Sequence, residues 1–340
     1  MIFPQGWQKD AMTEIQYRVP MIFPGQASQS VGMAADLAAG RGRASAFMGE
    51  VNASLGDDLT GIMFNGPKEV LTETHNAQPA ILAHSVAVSM ALRDLGIAPS
   101  VVAGHSLGEF SAAVAAGALQ PADGLRLVRK RGELMFAAGQ EVPGTMAAVL
   151  GLGGDKVREV CAQVSAAGGV VVLANHNSDG QVAISGEVGA VEAAGLALTE
   201  AGARRVIPLN VSGAFHSPLL EGAASSFREY LDGFEIADPE IPLVANVNAT
   251  AVTTAAGLAD GFARQLTSPV LWHDIMGEIA GGSGPRPTVV LEVGPGRVLT
   301  NLAKRAYPEV NFLPVGTAAD LDRVLDFLAD HHDPTDSNKD

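Results

Sequence analysis

Short β-branched runs alternate along this chain with longer stretches of helical period. A first run stands at Met21-Ile22-Phe23 and another covers residues 100–103, followed by helical spacing over 109–119 and again over 122–138. Strands separated by helices align in parallel, with the helices covering the faces of the sheet. After residue 211 the pattern resumes with a strand-like run over 242–246, a helix around 258–266 and a strand over 288–293, ending at Gly294-Pro295-Gly296.

Residues 144–211 read as a unit of their own. Strand MAAVLGL leads to helix DKVREVCAQVSAAG, strands VVVLAN and QVAIS, helix VGAVEAAGLALTEAG and strand RRVIPLN. That βαββαβ order is the split, ferredoxin-like arrangement. The expected fold is therefore α/β: an α/β-hydrolase-like large domain with a parallel sheet, and an inserted ferredoxin-like small subdomain. The large domain takes residues 17–142 and 212–330, the small subdomain 143–211, and a cleft is expected between them. Residues 1–16 match no element pattern and are expected to form an N-terminal extension, while 331–340 are polar and periodless, as in a disordered tail.

Composition narrows the function. A chain of 340 residues, 47% hydrophobic, can bury a large core, and thirty-nine glycines with 5% aromatics suit an α/β enzyme. The formal charge of −15 excludes a general nucleic-acid binder, which needs a basic face. Any docking patch for an acidic partner must be local, with Arg126, Arg129, Lys130, Lys304 and Arg305 as candidates. One cysteine, Cys161, rules out an internal disulfide and has no neighbouring metal ligands, so it is expected as a core or surface thiol, and no metal site is expected. No apolar run approaches membrane length, and the start lacks the apolar region of a signal peptide, so a cytoplasmic protein is expected, monomeric by default.

Gly104-His105-Ser106-Leu107-Gly108 fits G-x-S-x-G between a Val-rich strand and an Ala-rich helical stretch. In that context the glycines permit a sharp turn that projects the serine hydroxyl at the amino end of the next helix. Chance matches occur in a glycine-rich chain, but rarely between strand and helix. Gly151-Leu152-Gly153 and Gly294-Pro295-Gly296 complete no dinucleotide fingerprint and read as turns. A serine needs a base, and His216 follows strand RRVIPLN where the chain leaves the small subdomain, at the expected cleft mouth. By the residues alone His84, His176 and His273 stand close behind it. No aspartate is marked as a third member, Asp260 and Asp274 staying open, and a backbone carbonyl can serve instead.

On the helix over 122–138, Arg131 has Leu127, Val128, Leu134 and Met135 one turn away on either side, which puts it on the apolar face. Arg129 and Lys130 read as solvated surface. A buried arginine needs an anion: a structural Asp or Glu, or the free carboxylate of a dicarboxylic acyl group opposite Ser106.

Phe23-Pro24-Gly25-Gln26-Ala27-Ser28-Gln29, Gly104-His105-Ser106-Leu107-Gly108-Glu109-Phe110-Ser111, Arg131-Gly132, Gly213-Ala214-Phe215-His216 and Leu291-Glu292-Val293-Gly294-Pro295-Gly296 occur in that order. Over about residues 20 to 315 the chain thereby resembles malonyl-CoA:acyl-carrier-protein transacylases and the related acyltransferases of polyketide synthases. The resemblance implies Ser106 as nucleophile, His216 as base and Arg131 as partner of the malonyl carboxylate. It further implies an oxyanion hole from the N–H groups of Gln26 and Leu107, and a Gln265 carbonyl that orients the histidine. Asn177, Phe215 and His105 would line the substrate site, with the Phe215 ring favouring malonyl over methylmalonyl. Ala27 departs from the family's commoner glycine. The implied reaction is ping-pong transfer from malonyl-CoA to the phosphopantetheine thiol of an acyl carrier protein, in fatty-acid or polyketide synthesis, with no cofactor. Two other readings compete: a serine hydrolase of acyl thioesters, which would not need Arg131, and a non-catalytic scaffold, which would not need Ser106.

Overall fold

The computed structural model describes residues 14–211, 213–281 and 286–331. The expected tail after 331 and nearly all of the expected N-terminal extension lie outside them.

The chain opens with β1 (Tyr17–Phe23) and runs through five helices, α1 (Ala35–Ala39), α2 (Arg43–Leu55), α3 (Leu59–Asn65), α4 (Lys68–Thr72) and α5 (Thr74–Asp94). β2 (Ile97–Gly104), α6 (Gly108–Ala115) and α7 (Pro121–Glu141) follow. Next come β3 (Gly144–Leu150), α8 (Gly154–Ala167), β4 (Val171–Ser178), β5 (Gln181–Glu187), α9 (Val188–Glu200) and β6 (Arg205–Pro208). The remainder is α10 (Glu221–Leu231), β7 (Leu243–Val244), β8 (Ala251–Val252), α11 (Ala255–Gln265), α12 (Trp272–Ala280), β9 (Val289–Val293), α13 (Val298–Ala303), β10 (Asn311–Val315) and α14 (Ala318–His331).

Two sheets result. The larger has the order β10-β9-β1-β2-β7-β8 and is parallel except for the edge hairpin β7–β8. The smaller, β4-β5-β3-β6, is wholly antiparallel with α8 and α9 packed on it, the ferredoxin-like order. It carries a core of its own, centred on Val149, Val182, Ile184 and Leu198. Cys161 is buried in that core, and burial pushes its thiol up to about 11, so it packs as an inert apolar group. Among the described residues no helix is long and apolar enough to cross a membrane.

The central strands read as continuous apolar runs because both of their faces are covered; Met21, Ile22 and Phe23 are fully buried. α5, whose residues from Ala77 to Val88 are all buried, is apolar on every side for the same reason. It crosses α7 at Gly132, where an added Cβ would sit 2.6 Å from the Cα of His75. This close approach brings the residue beside that glycine, Arg131, within reach of α5 side chains.

Candidate active site

In open parallel sheets, ligands bind beyond the carboxyl ends of the strands. Here β1 and β2 end level, with Phe23 opposite Gly104, so their following loops leave the sheet side by side. β7 lies on the other flank of β2, with Ala103 opposite Val244, which places Asn246 next to the turn at Ser106.

Ser106 occupies that turn at φ 52°, the left-handed region that costs an L-residue about 1 kcal/mol or more. Gly104 and Gly108 make the geometry possible. A Cβ on Gly104 would lie 1.9 Å from the Gly108 carbonyl carbon, and one on Gly108 would lie 2.3 Å from the Phe23 oxygen. The backbone N–H of Ser106 donates to Asn246 Oδ1 at 2.8 Å, and Asn246 Nδ2 donates to the Gly104 carbonyl at 2.6 Å. One buried side chain thus clamps both limbs of the turn. α6 begins immediately afterwards, directing its amino end at the serine.

Ser106 Oγ lies 2.8 Å from His216 Nε2. The opposite ring nitrogen, Nδ1, donates to the Gln265 carbonyl at 2.9 Å, which leaves Nε2 as the acceptor facing the serine. Burial, and then the charge of Arg131, drive the His216 pKa down to about 3, so the imidazole is neutral at physiological pH. Arg131 is 1% exposed. Its Nη1 donates to Gln78 Oε1 at 2.7 Å, and its Nη2 to Gln265 Oε1 at 2.8 Å and Ser106 Oγ at 3.1 Å. All of these acceptors are neutral, and its Nε is buried with no partner among the described residues. Burial lowers even this guanidinium to about 10, which leaves it charged at neutral pH.

The loop after β1 approaches the same turn: His105 N–H donates to the Phe23 carbonyl at 2.9 Å. Gln26 in that loop is held by its side chain, whose Oε1 accepts from the Thr74 hydroxyl at 3.0 Å. Ala27 stands at φ 76°, which explains in backbone terms why a glycine suits this position. His105 Nε2 donates to Asn177 Oδ1 at 2.9 Å, tying the small sheet to the serine turn. Phe215 is buried beside His216 in the chain.

Several expectations change. Arg129 is not solvated surface: its side chain is 12% exposed, pairs with Asp57 at 2.6 Å, and donates to the His75 carbonyl and Asn76 Oδ1. The sequence neighbours on its own helix could not show partners supplied by α5 and the loop before α3. Arg126 and Lys130, also offered for docking, face Asp123 and Glu133 one turn away. Neither aspartate left open reaches His216, since Asp260 pairs with Arg228 and Arg264, while Asp274 faces His176. His84 is buried with Nε2 2.6 Å from the Gly316 oxygen, and His176 and His273 pack on each other, all away from Ser106. Three residues of the site were not singled out in advance: Gln78, Asn246 and Glu109. Glu109 accepts from the Asn246 N–H at 3.0 Å through Oε1, and from Gln265 Nε2 through Oε2.

A serine on a strand–turn–helix elbow at the start of α6, its hydroxyl bonded to a neutral imidazole, defines an acyl-transfer enzyme of the serine type. The chain belongs to the acyl transferase domain family, whose profile matches residues 21–323. It is 39% identical over 317 residues to the malonyl CoA-acyl carrier protein transacylase of Bacillus subtilis (strain 168), covering 93% of this chain and 99% of the relative. Solved structures are equally similar. An acyl carrier protein S-malonyltransferase from Vibrio cholerae superposes with a TM-score of 0.85 at 40% identity, covering 90% of this chain and 99% of that one. A malonyl-transacylase in complex with its type II PKS acyl-carrier protein gives 0.85 at 40% identity, covering 91% and 99%.

Proposed function

We propose that this chain transfers the malonyl group of malonyl-CoA to the phosphopantetheine thiol of an acyl carrier protein through a malonyl ester on Ser106. The observation that carries the reading is Arg131: buried, cationic, bonded only to neutral oxygens, and 3.1 Å from the nucleophile. The buried Glu109 carboxyl acts on this charge without bonding to it, so the fork is left to take an anion directly, and its planar shape suits a carboxylate. The other end of a malonyl group reaching Ser106 supplies one.

In the first half-reaction His216 Nε2 takes the Ser106 proton as Oγ attacks the thioester carbon. Gln26 and Leu107 N–H groups receive the developing oxyanion. The C–S bond then breaks, and the imidazolium returns its proton to the coenzyme A thiolate. The second half reverses these steps with the carrier thiol, which gives its proton to His216, attacks the ester carbon and releases Ser106. The Gln265 carbonyl keeps the ring in the reactive tautomer throughout. A malonyl carboxylate on Arg131 also offsets the charge that, after burial, contributes most to holding the imidazole's basicity down, which makes the base better suited to its task. Phe215 crowds an α-methyl substituent, and His105 with Asn177 lines the entry from the small subdomain of residues 143–211. Fatty-acid or polyketide synthesis in the cytoplasm is the setting.

The test is intact-protein mass after brief exposure to malonyl-CoA or acetyl-CoA. A single stable malonyl adduct that disappears in Ser106→Ala is the expected result. Adducts from acetyl-CoA alone, or rapid release of free acid, would sink the reading and favour a thioester hydrolase.

A further inference from the structure

Glu109 takes no part in the chemistry above, yet it is a carboxylate at 2% exposure in the middle of the site. Burying a carboxylate is costly unless its oxygens are satisfied. Both are: Oε1 takes the Asn246 N–H and Oε2 takes Gln265 Nε2. The second hydrogen of that Gln265 amide goes to the Ser106 carbonyl at 3.0 Å. With its nitrogen held between two acceptors, the amide must present Oε1 to Arg131 Nη2, at 2.8 Å. The reversed amide would set an NH2 against the guanidinium and an oxygen against the carboxylate. The ionised Glu109 and the Ser106 carbonyl can only accept and Arg131 can only donate, so these three together set the direction of every bond, with Glu109 the charged acceptor among them. Burial raises its carboxyl to about 7, against the pull of the Asn246 and Gln265 hydrogen bonds and the Arg131 charge.

Resting on the reading of Arg131 as the malonyl receptor, we propose that Glu109 is the positioning residue for acyl-group selection: it fixes the Gln265 amide in the orientation that aims Arg131 at the acyl carboxylate. Gln265 then serves two masters independently, its main-chain carbonyl holding His216 and its side chain holding Arg131. Disturbing Glu109 should therefore reach the arginine and spare the imidazole.

Glu109→Gln tests this. A glutamine that keeps its oxygen on the Asn246 N–H turns its NH2 towards the Gln265 amide nitrogen, which either loses its place beside the Ser106 carbonyl or reverses against Arg131, and in both cases the Oε1–Arg131 bond is disturbed. The expected result is a fall of about tenfold in the malonyl-to-acetyl ratio of kcat/KM for Ser106 acylation, the size of one charge-assisted hydrogen bond, carried by KM for malonyl-CoA rather than kcat. Gln265→Met, which retains the main-chain carbonyl, should give the same selective loss, and the double variant no more than either alone. A role confined to holding the fold would depress both acyl groups equally; an unchanged ratio, or additive losses, would overturn the proposal. If Glu109→Gln fails to fold, Gln265→Met decides alone, a uniform loss counting against the idea. Arg131→Ala measured alongside separates the two levels. If it leaves the ratio intact, the receptor reading fails; if it collapses the ratio while Glu109→Gln and Gln265→Met do not, only the positioning role fails.

Discussion

Two polar clusters of this molecule contain the same chemical groups and differ in almost everything else. One surrounds Ser106. The other lines an open cleft of about 370 Å³ where the start of α8 meets α12, with His176, His273, Asp274, Lys156 and Arg158 around it. In the cleft, the two rings tilt against each other at 4.8 Å and Asp274 stands 3.8 Å from His176. The cations there are engaged one turn along their own helix, Arg158 with Asp155 and Lys156 with Glu159, as solvated surface pairs. Around Ser106 the partners come from four separate helices and strand ends, and the Arg131 Nη, Gln265, Asn246 and Glu109 groups interlock. A histidine, a cation and a carboxylate in proximity do not make a reactive centre; burial, interlocking bonds and a strained serine do.

The comparison can be broken most forcefully at the base. His216→Ala should slow malonylation of Ser106 by about a thousandfold or more, the scale of lost general-base catalysis. Equal damage from His273→Ala, which is expected to stay within about twofold, would place chemistry in the cleft and erase the distinction. The two arginines of α7 sharpen it further. Arg131→Ala should cost roughly 2–4 kcal/mol of malonyl discrimination, since it removes a desolvated charge-to-carboxylate contact. Arg129→Ala should lower folding stability by about 1–3 kcal/mol, through the Asp57, His75 and Asn76 contacts, without moving the malonyl-to-acetyl ratio. Thermal unfolding and acylation kinetics on the same samples separate the two outcomes.

The smallest effect is on pH. With its pKa held at about 3, the His216 ring of the free enzyme stays neutral well below the ordinary histidine value of 6.5. Modification of Ser106 by an uncharged sulfonyl fluoride should therefore change little between about pH 8 and pH 5. A limb centred near 6.5 would show an ordinary, solvated imidazole at position 216. The same depression means that the unfolded chain binds this proton first, so the residue's contribution makes stability decline as pH falls from 6.5 towards 3.

Legibility in the sequence followed the range of the interactions. The strand–turn–helix around Ser106 is local, so five consecutive residues carry it, and the βαββαβ order of the small sheet is visible in element sequence alone. Arg131 was readable because an amphipathic helix advertises its buried face through neighbours one turn away. Arg129, two residues earlier, defeated the same argument, because its partners arrive from 53 to 72 positions upstream. Asn246 and Glu109 were invisible for a related reason. Their roles exist only once β7 is registered against β2, a pairing of residues about 140 apart. The Gln265 carbonyl was suggested by family resemblance and by no property of the local pattern.

The bond from Arg131 Nη2 to Ser106 Oγ has a consequence for the order of events. A guanidinium donating to the hydroxyl takes up one of its two lone pairs and draws electron density from the oxygen, so the group that awaits the substrate also holds the resting serine. A carboxylate arriving at Arg131 competes for that donor, whereas an acyl group without one does not. Recognition of the acyl group and release of the nucleophile then draw on a single donor.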